Sequence, residues 1–316
     1  MNSVVIPVYK NEGSIPDLVK VLQEMNGNLA GELETVFVVD GSPDQSYARL
    51  RELLPSSGLK AKLVLLSRNF GSFAAIRTGL QFATGEYFGV MAADLQEPPE
   101  LVTSFFTVLR NEPFDVVIGT REGRADPFFS SLSSRIFWAS YKRFVVPEMP
   151  VGGVDVFGCN KKFRDQLLVL QESHSSLIAQ LFWLGYRRKL VSYTRQLRKH
   201  GKTAWTFRKK LTYLMDSVFA FSDLPIRLLI GVGGGAFIGS GALAALVVLG
   251  RLMGWISVPG YAATMLIVLF FGTLNLLSLG LVGSYAWRSY ENTKQRPLSI
   301  PMRVEEFGTI FPTKED

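Results

Sequence analysis

The 316 residues are enough for one large domain with an appendage, or for two ordinary domains. Hydrophobic residues make up 47% of the chain and its formal charge is +7. The basic excess gathers beside an apolar stretch, which argues for attraction to anionic headgroups and against nucleic acid. The single cysteine, Cys159, excludes an internal disulfide and fits a reducing compartment.

Met1 leads directly into the apolar run SVVIPV, without a basic n-region or cleavage site, so no signal peptide is expected. Up to about residue 120, short β-rich runs alternate with helical patterns. The runs are SVVIPV (3–8), ETVFVV (34–39), AKLVLL (61–66), EYFGVM (86–91) and DVVIGT (115–120). Between the first two, Leu18, Val21, Leu22 and Met25 share a helical face, with Ser14 placed to cap it. This alternation predicts βαβ crossovers and a mostly parallel sheet. Ligands of such sheets bind beyond the carboxyl ends of the strands. There the sequence puts PVYKNEG, DGSPDQS, SRNFGS, AADLQE and GTREGR.

From 121 to 225 the pattern is less regular. SSRIFWASYKRFVV (133–146) mixes cations with aromatic residues, as a surface helix near lipid would. FRKKLTYLMDSVFAF (207–221) has a basic first turn and aligns Phe207, Leu211, Leu214, Met215 and Val218 at helical spacing. That pattern predicts an amphipathic helix in the membrane interface, with core packing of the same stripe as the alternative.

Residues 228–250 and 252–287 contain no charge. A helix of 23 residues rises about 34 Å, against roughly 30 Å of hydrocarbon core, so two spans are expected, the second over about 261–285. Two buried helices of a soluble protein are the alternative. Residues 186–210 carry ten Lys/Arg and no acid, whereas the inter-helix loop offers only Arg251. The positive-inside rule then places both termini in the cytoplasm. Gly231, Gly235 and Gly239 share one helix face, suited to close approach of another helix or of a second subunit in a homo-oligomer.

The strand-end loops supply Glu12, Asp40 and Asp94 as carboxylates, Gln96 as an amide and Arg121 as a cation. Such a set suits a phosphorylated, hydroxyl-rich ligand bound with a divalent metal. GxGxxG and GxxxxGK[ST] are both absent, which weighs against dehydrogenases and P-loop NTPases. With two histidines and one cysteine there is no cluster for structural zinc, so a metal would be a hard, oxygen-bound ion such as Mg²⁺ or Mn²⁺.

The order SVVIPVYKNE, VVDGSPDQS, LSRNFGSFAAIRTGL, AADLQEPPEL, VVIGTR, VDVFGCNKKF, RQLRKHGKTAWTFRKKL and FSDLPIR, followed by paired apolar stretches, resembles a known family over nearly the whole chain. It is that of the glycosyltransferase family 2 enzymes acting on polyprenyl phosphate, the dolichyl-phosphate mannose synthase and bacterial polyisoprenyl-phosphate glycosyltransferase group. The resemblance implies a GT-A, Rossmann-like α/β domain over 1–206, a juxtamembrane amphipathic helix over 207–225, a two-helix transmembrane hairpin over 226–287 and a cytoplasmic tail over 288–316. It also implies transfer of a sugar, with inversion, from a nucleotide-sugar to a polyprenyl phosphate on the cytoplasmic membrane face.

By the same resemblance Pro7, Tyr9, Glu12 and Asp40 contact the donor nucleotide, and Asp94 and Gln96 bind the metal that bridges its diphosphate. Arg121 and Arg135 match phosphate ligands, Arg195 and Arg198 lie near the acceptor, and Asp155 matches a catalytic or site-organising carboxylate. The chain departs from the family pattern at Val39, Ala92 and Ala204, where relatives usually carry an acid, an acid and a lysine. A catalytically weakened, membrane-anchored nucleotide-binding relative is the alternative those departures raise. A processive polysaccharide synthase ranks below it, because a QxxRW element is missing.

Overall fold

The computed structural model describes residues 1–121, 142, 146–150, 154–173, 175–196, 207–254 and 260–308. The elements follow in the order β1 (Asn2–Val8), α1 (Ile15–Asn28), β2 (Leu33–Val39), α2 (Ser46–Leu53), β3 (Lys60–Leu66), α3 (Ser72–Phe82), β4 (Tyr87–Val90), α4 (Pro99–Asn111), β5 (Val116–Arg121) and β6 (Val154–Asn160). Next are α5 (Lys161–Val169), α6 (Leu177–Trp183), β7 (Arg188–Tyr193), α7 (Phe207–Phe221), α8 (Leu224–Leu252), α9 (Tyr261–Thr293) and β8 (Pro301–Phe307).

All eight strands join one sheet in the order β7-β5-β6-β4-β1-β2-β3-β8. β1 runs parallel to β2 and β4, β2 to β3, and β5 to β7. β6 is antiparallel to β4 and β5, and β8 is antiparallel to β3. The five runs read from the sequence become β1 to β5, and their carboxyl ends fall along one edge.

Each central strand is apolar at nearly every position because both faces of the sheet are covered. Val4, Ile6 and Val8 of β1 point toward Ile15, Leu18 and Leu22 of α1 and Phe106 of α4. Val5, between them, faces Ala75, Ile76 and Leu80 of α3 on the opposite side. Gly79 of α3 packs so closely on β1 that a Cβ there would lie 2.2 Å from a Val5 methyl.

Three features differ from the sequence reading. Ser14 sits at the N-cap of α1 without a side-chain capping bond; its hydroxyl donates instead to the carbonyls of Asn11 at 3.0 Å and Ala93 at 2.8 Å. Tyr213, Leu214, Val218 and Phe221 of α7 pack against the α3 side of the core, so Leu214 and Val218 of that stripe meet protein while Met215 is exposed. The third is β8, in a stretch where no element was expected. It lies along β3 in a register that pairs Val304 with Val64, and Glu305 accepts hydrogen bonds from Tyr47 and Arg51 of α2.

α8 and the first part of α9 are largely exposed, while the end of α9 returns to the core through Arg288 and Asn292. Leu224–Leu243 is long and apolar enough to cross a membrane, and none of it is buried. α9 is one unbroken helix that leaves Val268, Phe270, Leu276 and Leu279 exposed.

Candidate active site

The strand-end loops are laced together by side chains that accept from backbone amides. After β1, the amides of Lys10, Asn11 and Glu12 donate to Ser42 Oγ at 2.8 Å, Ser46 Oγ at 3.2 Å and Asp44 Oδ2 at 3.1 Å. Glu12 returns the contact by accepting from the Gln45 amide at 2.9 Å, at the start of α2. Asp44, which the sequence reading did not single out, also accepts from the Ser42 and Ser46 hydroxyls. Burial alone would push its carboxyl up; these hydrogen bonds outweigh burial and hold it below the usual aspartate range.

Asp40 follows directly after β2 and is buried. Its two oxygens accept from the Phe70 amide at 2.7 Å and the Gly71 amide at 2.9 Å, so the second loop fixes the third. Burial pushes the Asp40 carboxyl up, against the opposing pull of those two amides and of Arg68. Next to it, Gly41 has φ +53°, and a Cβ there would stand 2.3 Å from the Arg68 carbonyl carbon. Only glycine permits both that backbone conformation and that approach.

The AADLQ segment turns sharply beyond β4. Leu95 has φ +55°, a left-handed conformation that costs on the order of 1–2 kcal/mol for a residue with a Cβ. The turn lets Asp94 Oδ1 accept from the Gln96 amide at 3.3 Å. The Gln96 side-chain oxygen accepts from Arg195 Nη2 at 2.5 Å, and the Gln96 carbonyl accepts from the Gln196 amide at 2.8 Å. Two groups assigned separately from the sequence, one to the metal and one to the acceptor, are thus direct partners.

A cavity of about 960 Å³ opens over these loops. Pro7, Tyr9, Asp40 and Asp94 line it, as the strand-end argument requires, and Ala92 lies beside Asp94. Glu12, Gln96, Arg121 and Arg195 do not line it; Arg121 stands at the end of β5 in register with Tyr193 of β7. Asp155 falls within β6, but its side chain lies outside the described residues, as do Arg135 and Arg198. The cavity walls add Arg68, stacked 4.2 Å above the Phe70 ring, and the buried Arg77. Arg77 is held by Gln180 Oε1 at 3.1 Å and the Leu168 carbonyl at 3.3 Å. Tyr213 and Asp216 of α7, Glu291 of α9 and Arg296 complete the wall. SRNFGS was visible in the sequence as a strand-end cluster, whereas the α7, α9 and Arg296 contributions come from tertiary packing and left no local signal.

Among the described residues no group of three or more His, Cys, Asp or Glu side chains gathers to hold a metal. Of the two carboxylates at the strand ends of the cavity, Asp40 holds the third loop by two amide bonds and Asp94 caps the turn at Gln96. One carboxylate fits Mg²⁺ or Mn²⁺, ions that complete their coordination with substrate phosphate and water.

The chain belongs to glycosyl transferase family 2, whose model matches residues 3–192, the span from β1 into β7. An uncharacterized glycosyltransferase of Synechocystis sp. is 32% identical to it over 94% of this chain and 93% of its own length. The uncharacterized glycosyltransferase YkcC of Bacillus subtilis is 32% identical over 94% and 92%. A prophage bactoprenol glucosyl transferase homolog of Escherichia coli is 27% identical over 96% and 99%. Among solved structures, a mannosyltransferase from Pyrobaculum calidifontis in complex with GDP-Man and Mn²⁺ is similar at 16% identity and a TM-score of 0.45, over 90% of this chain and 87% of that one. The sheet order and the family together define a GT-A fold and a glycosyltransferase that uses a nucleotide-sugar.

Proposed function

We propose that the protein transfers one sugar, with inversion, from a UDP- or GDP-sugar to a polyprenyl phosphate on the cytoplasmic face of a membrane. The product is a lipid-linked sugar for glycan or cell-envelope assembly. The observation that carries this reading is that one cavity is lined both by Asp94 and the strand-end loops and by Tyr213, Asp216 and Glu291, at the foot of the long apolar helices. A nucleotide-sugar needs only the strand-end loops; a second substrate held in lipid needs the rest.

The threading of the chain supports two spans. β8 follows α9 yet joins the same sheet as the strands that precede α8. A chain that leaves the domain and returns to it crosses a bilayer an even number of times, so α8 and α9 serve as a hairpin with both ends on one side. The ten basic residues of 186–210 favour the cytoplasm for that side. The bactoprenol named in the Escherichia coli relative supports the same acceptor class.

In this reading Pro7 and Tyr9 meet the donor's base and ribose, while Asp40 and Glu12 keep the loops in place. Asp94, with Gln96 once Arg195 releases it, would hold Mg²⁺ or Mn²⁺. That ion, when bound, supplies positive charge against the leaving nucleoside diphosphate. The acceptor phosphate, with a second pKa near 6 by analogy with phosphate monoesters, is largely ionised at neutral pH, so no strong general base is required. Asp155 then orients groups in the site, and Arg121, Arg135, Arg195 and Arg198 supply phosphate contacts.

Purified membranes containing the protein and a polyprenyl phosphate, offered labelled UDP-, GDP- and dTDP-sugars with and without Mn²⁺, test this directly. A lipid-linked product of inverted anomeric configuration is expected with one donor class. Nucleotide binding without product across the whole panel would instead favour the binding-protein reading raised by Ala92.

A further inference from the structure

The part of the cavity wall nearest the apolar helices carries charges of both signs. Asp216 of α7 accepts from Arg288 of α9 at 2.7 Å, and Glu291 of α9 pairs with Lys294. Both of these acids have a cation partner, and Glu172, next to Ser173 whose amide donates to Asn292 of α9, adds a third acid to the same wall. Arg296 lines the same cavity and forms no ion pair with a described residue. It stands three residues beyond the end of α9 and is exposed.

Its position is fixed from both sides. Upstream, α9 closes with Gln295 in a left-handed conformation at φ +48°, its amide donating to the Asn292 carbonyl at 3.2 Å. Lys294 is further held over the Trp287 and Tyr290 rings. Downstream, Ser299 Oγ lies 2.5 Å from Thr78 Oγ1 of α3, and the Ile300 carbonyl accepts from the Ser67 amide at 3.0 Å. The residues between are a short bridge from the last helix to the sheet, carrying one exposed cation beside the cavity.

We infer that Arg296 binds the phosphate of the membrane-borne acceptor, so that the segment returning from the helix pair contributes a substrate-binding residue. The inference rests on the proposed lipid-phosphate reading. A guanidinium gives two parallel donors to a phosphate, and Arg296 is placed where a headgroup anchored alongside α9 would reach the cavity. The diphosphate of the donor offers the same chemistry, and the two sources are separable by experiment.

The full chain in nanodiscs of neutral lipid is titrated with a polyprenyl monophosphate, with the corresponding polyprenol, and with UDP and GDP. Wild type is expected to prefer the phosphate over the alcohol. R296A should weaken polyprenyl phosphate binding roughly tenfold or more, the scale of a lost charge-assisted hydrogen bond, and leave polyprenol and nucleotide binding unchanged. R296K should recover part of the loss. R303A removes an equal charge from β8, away from the cavity, and should change none of these. Phosphate binding in R296A equal to wild type overturns the inference, as does a loss in R296A that falls on the nucleotide, or one that R303A reproduces. A wild type without preference for phosphate over alcohol overturns the acceptor reading itself, and this inference with it.

Discussion

Asp40 and Gly71 are joined by a 2.9 Å hydrogen bond from the Gly71 amide to Asp40 Oδ2, which ties the end of β2 to the start of α3 across the floor of the cavity. The second oxygen does the same for Phe70. Asp40→Ala strands both part-buried amides, at roughly 1 kcal/mol or more. Denaturant unfolding should show that loss, and calorimetry should show weakened nucleotide binding because Arg68 and Phe70 lose their support. Asp40→Asn keeps one acceptor and should fall between the two.

Gly41 tests the same junction sterically. In Gly41→Ala the new methyl meets the Arg68 backbone at a residue already in a left-handed conformation. A stability loss on the order of 1–3 kcal/mol is expected, together with reduced nucleotide affinity. An unchanged melting temperature would contradict the loop contact.

Asp94→Ala is expected to abolish sugar transfer at a stability cost of about 0.5–1.5 kcal/mol, the scale of the hydrogen bond it accepts from the Gln96 amide. Nucleotide binding by this variant should no longer respond to added Mn²⁺. Wild-type activity would remove Asp94 from the metal site.

Glu34 supplies a pH signature unrelated to catalysis. It is fully buried, and burial alone would raise its pKa. Bonds from Ser3 Oγ at 2.6 Å and from the Thr84 amide and hydroxyl at 2.7 and 2.8 Å, with Lys62 Nζ at 3.2 Å, prevail and hold it below its ordinary 4.5. A depressed folded pKa gives stability that is present above the unfolded value and is lost as pH falls through the folded one. Wild type should therefore lose stability on acidification below about pH 4.5. Glu34→Gln should be less stable at neutral pH by about 2–3 kcal/mol and flatter across that acid window.

Glu305 holds β8 in place through Tyr47 and Arg51. Glu305→Ala should cost about 1–2 kcal/mol in thermal or chemical unfolding. Ending the chain at Ser299 should uncover the edge of β3, and light scattering should detect the resulting association.

The parallel core was legible because its signal is local: β1 to β5 are short β-rich runs, each followed by a polar or glycine-rich loop. Of the candidate site, Pro7, Tyr9, Asp40 and Asp94 line one cavity, whereas Glu12, Gln96, Arg121 and Arg195 do not. What was missed depends on distance along the chain. Nothing in SRNFGS says that its amides are held by Asp40, and nothing in AADLQ says that Arg195 occupies Gln96. PMRVEEF has a proline at its start and three charges, poor credentials for a strand until Val64 lies opposite Val304.

Pro301 of β8 pairs with Leu66 of β3, so the sheet has its full width only after both long apolar helices have been synthesised. During translation the outer edge of β3 stays bare while α8 and α9 emerge. The last strand then shields that edge and in the same movement draws Arg296 up to the cavity. Completion of the sheet is in this way timed to the synthesis of the two apolar helices, and a chain halted before them lacks its final edge strand.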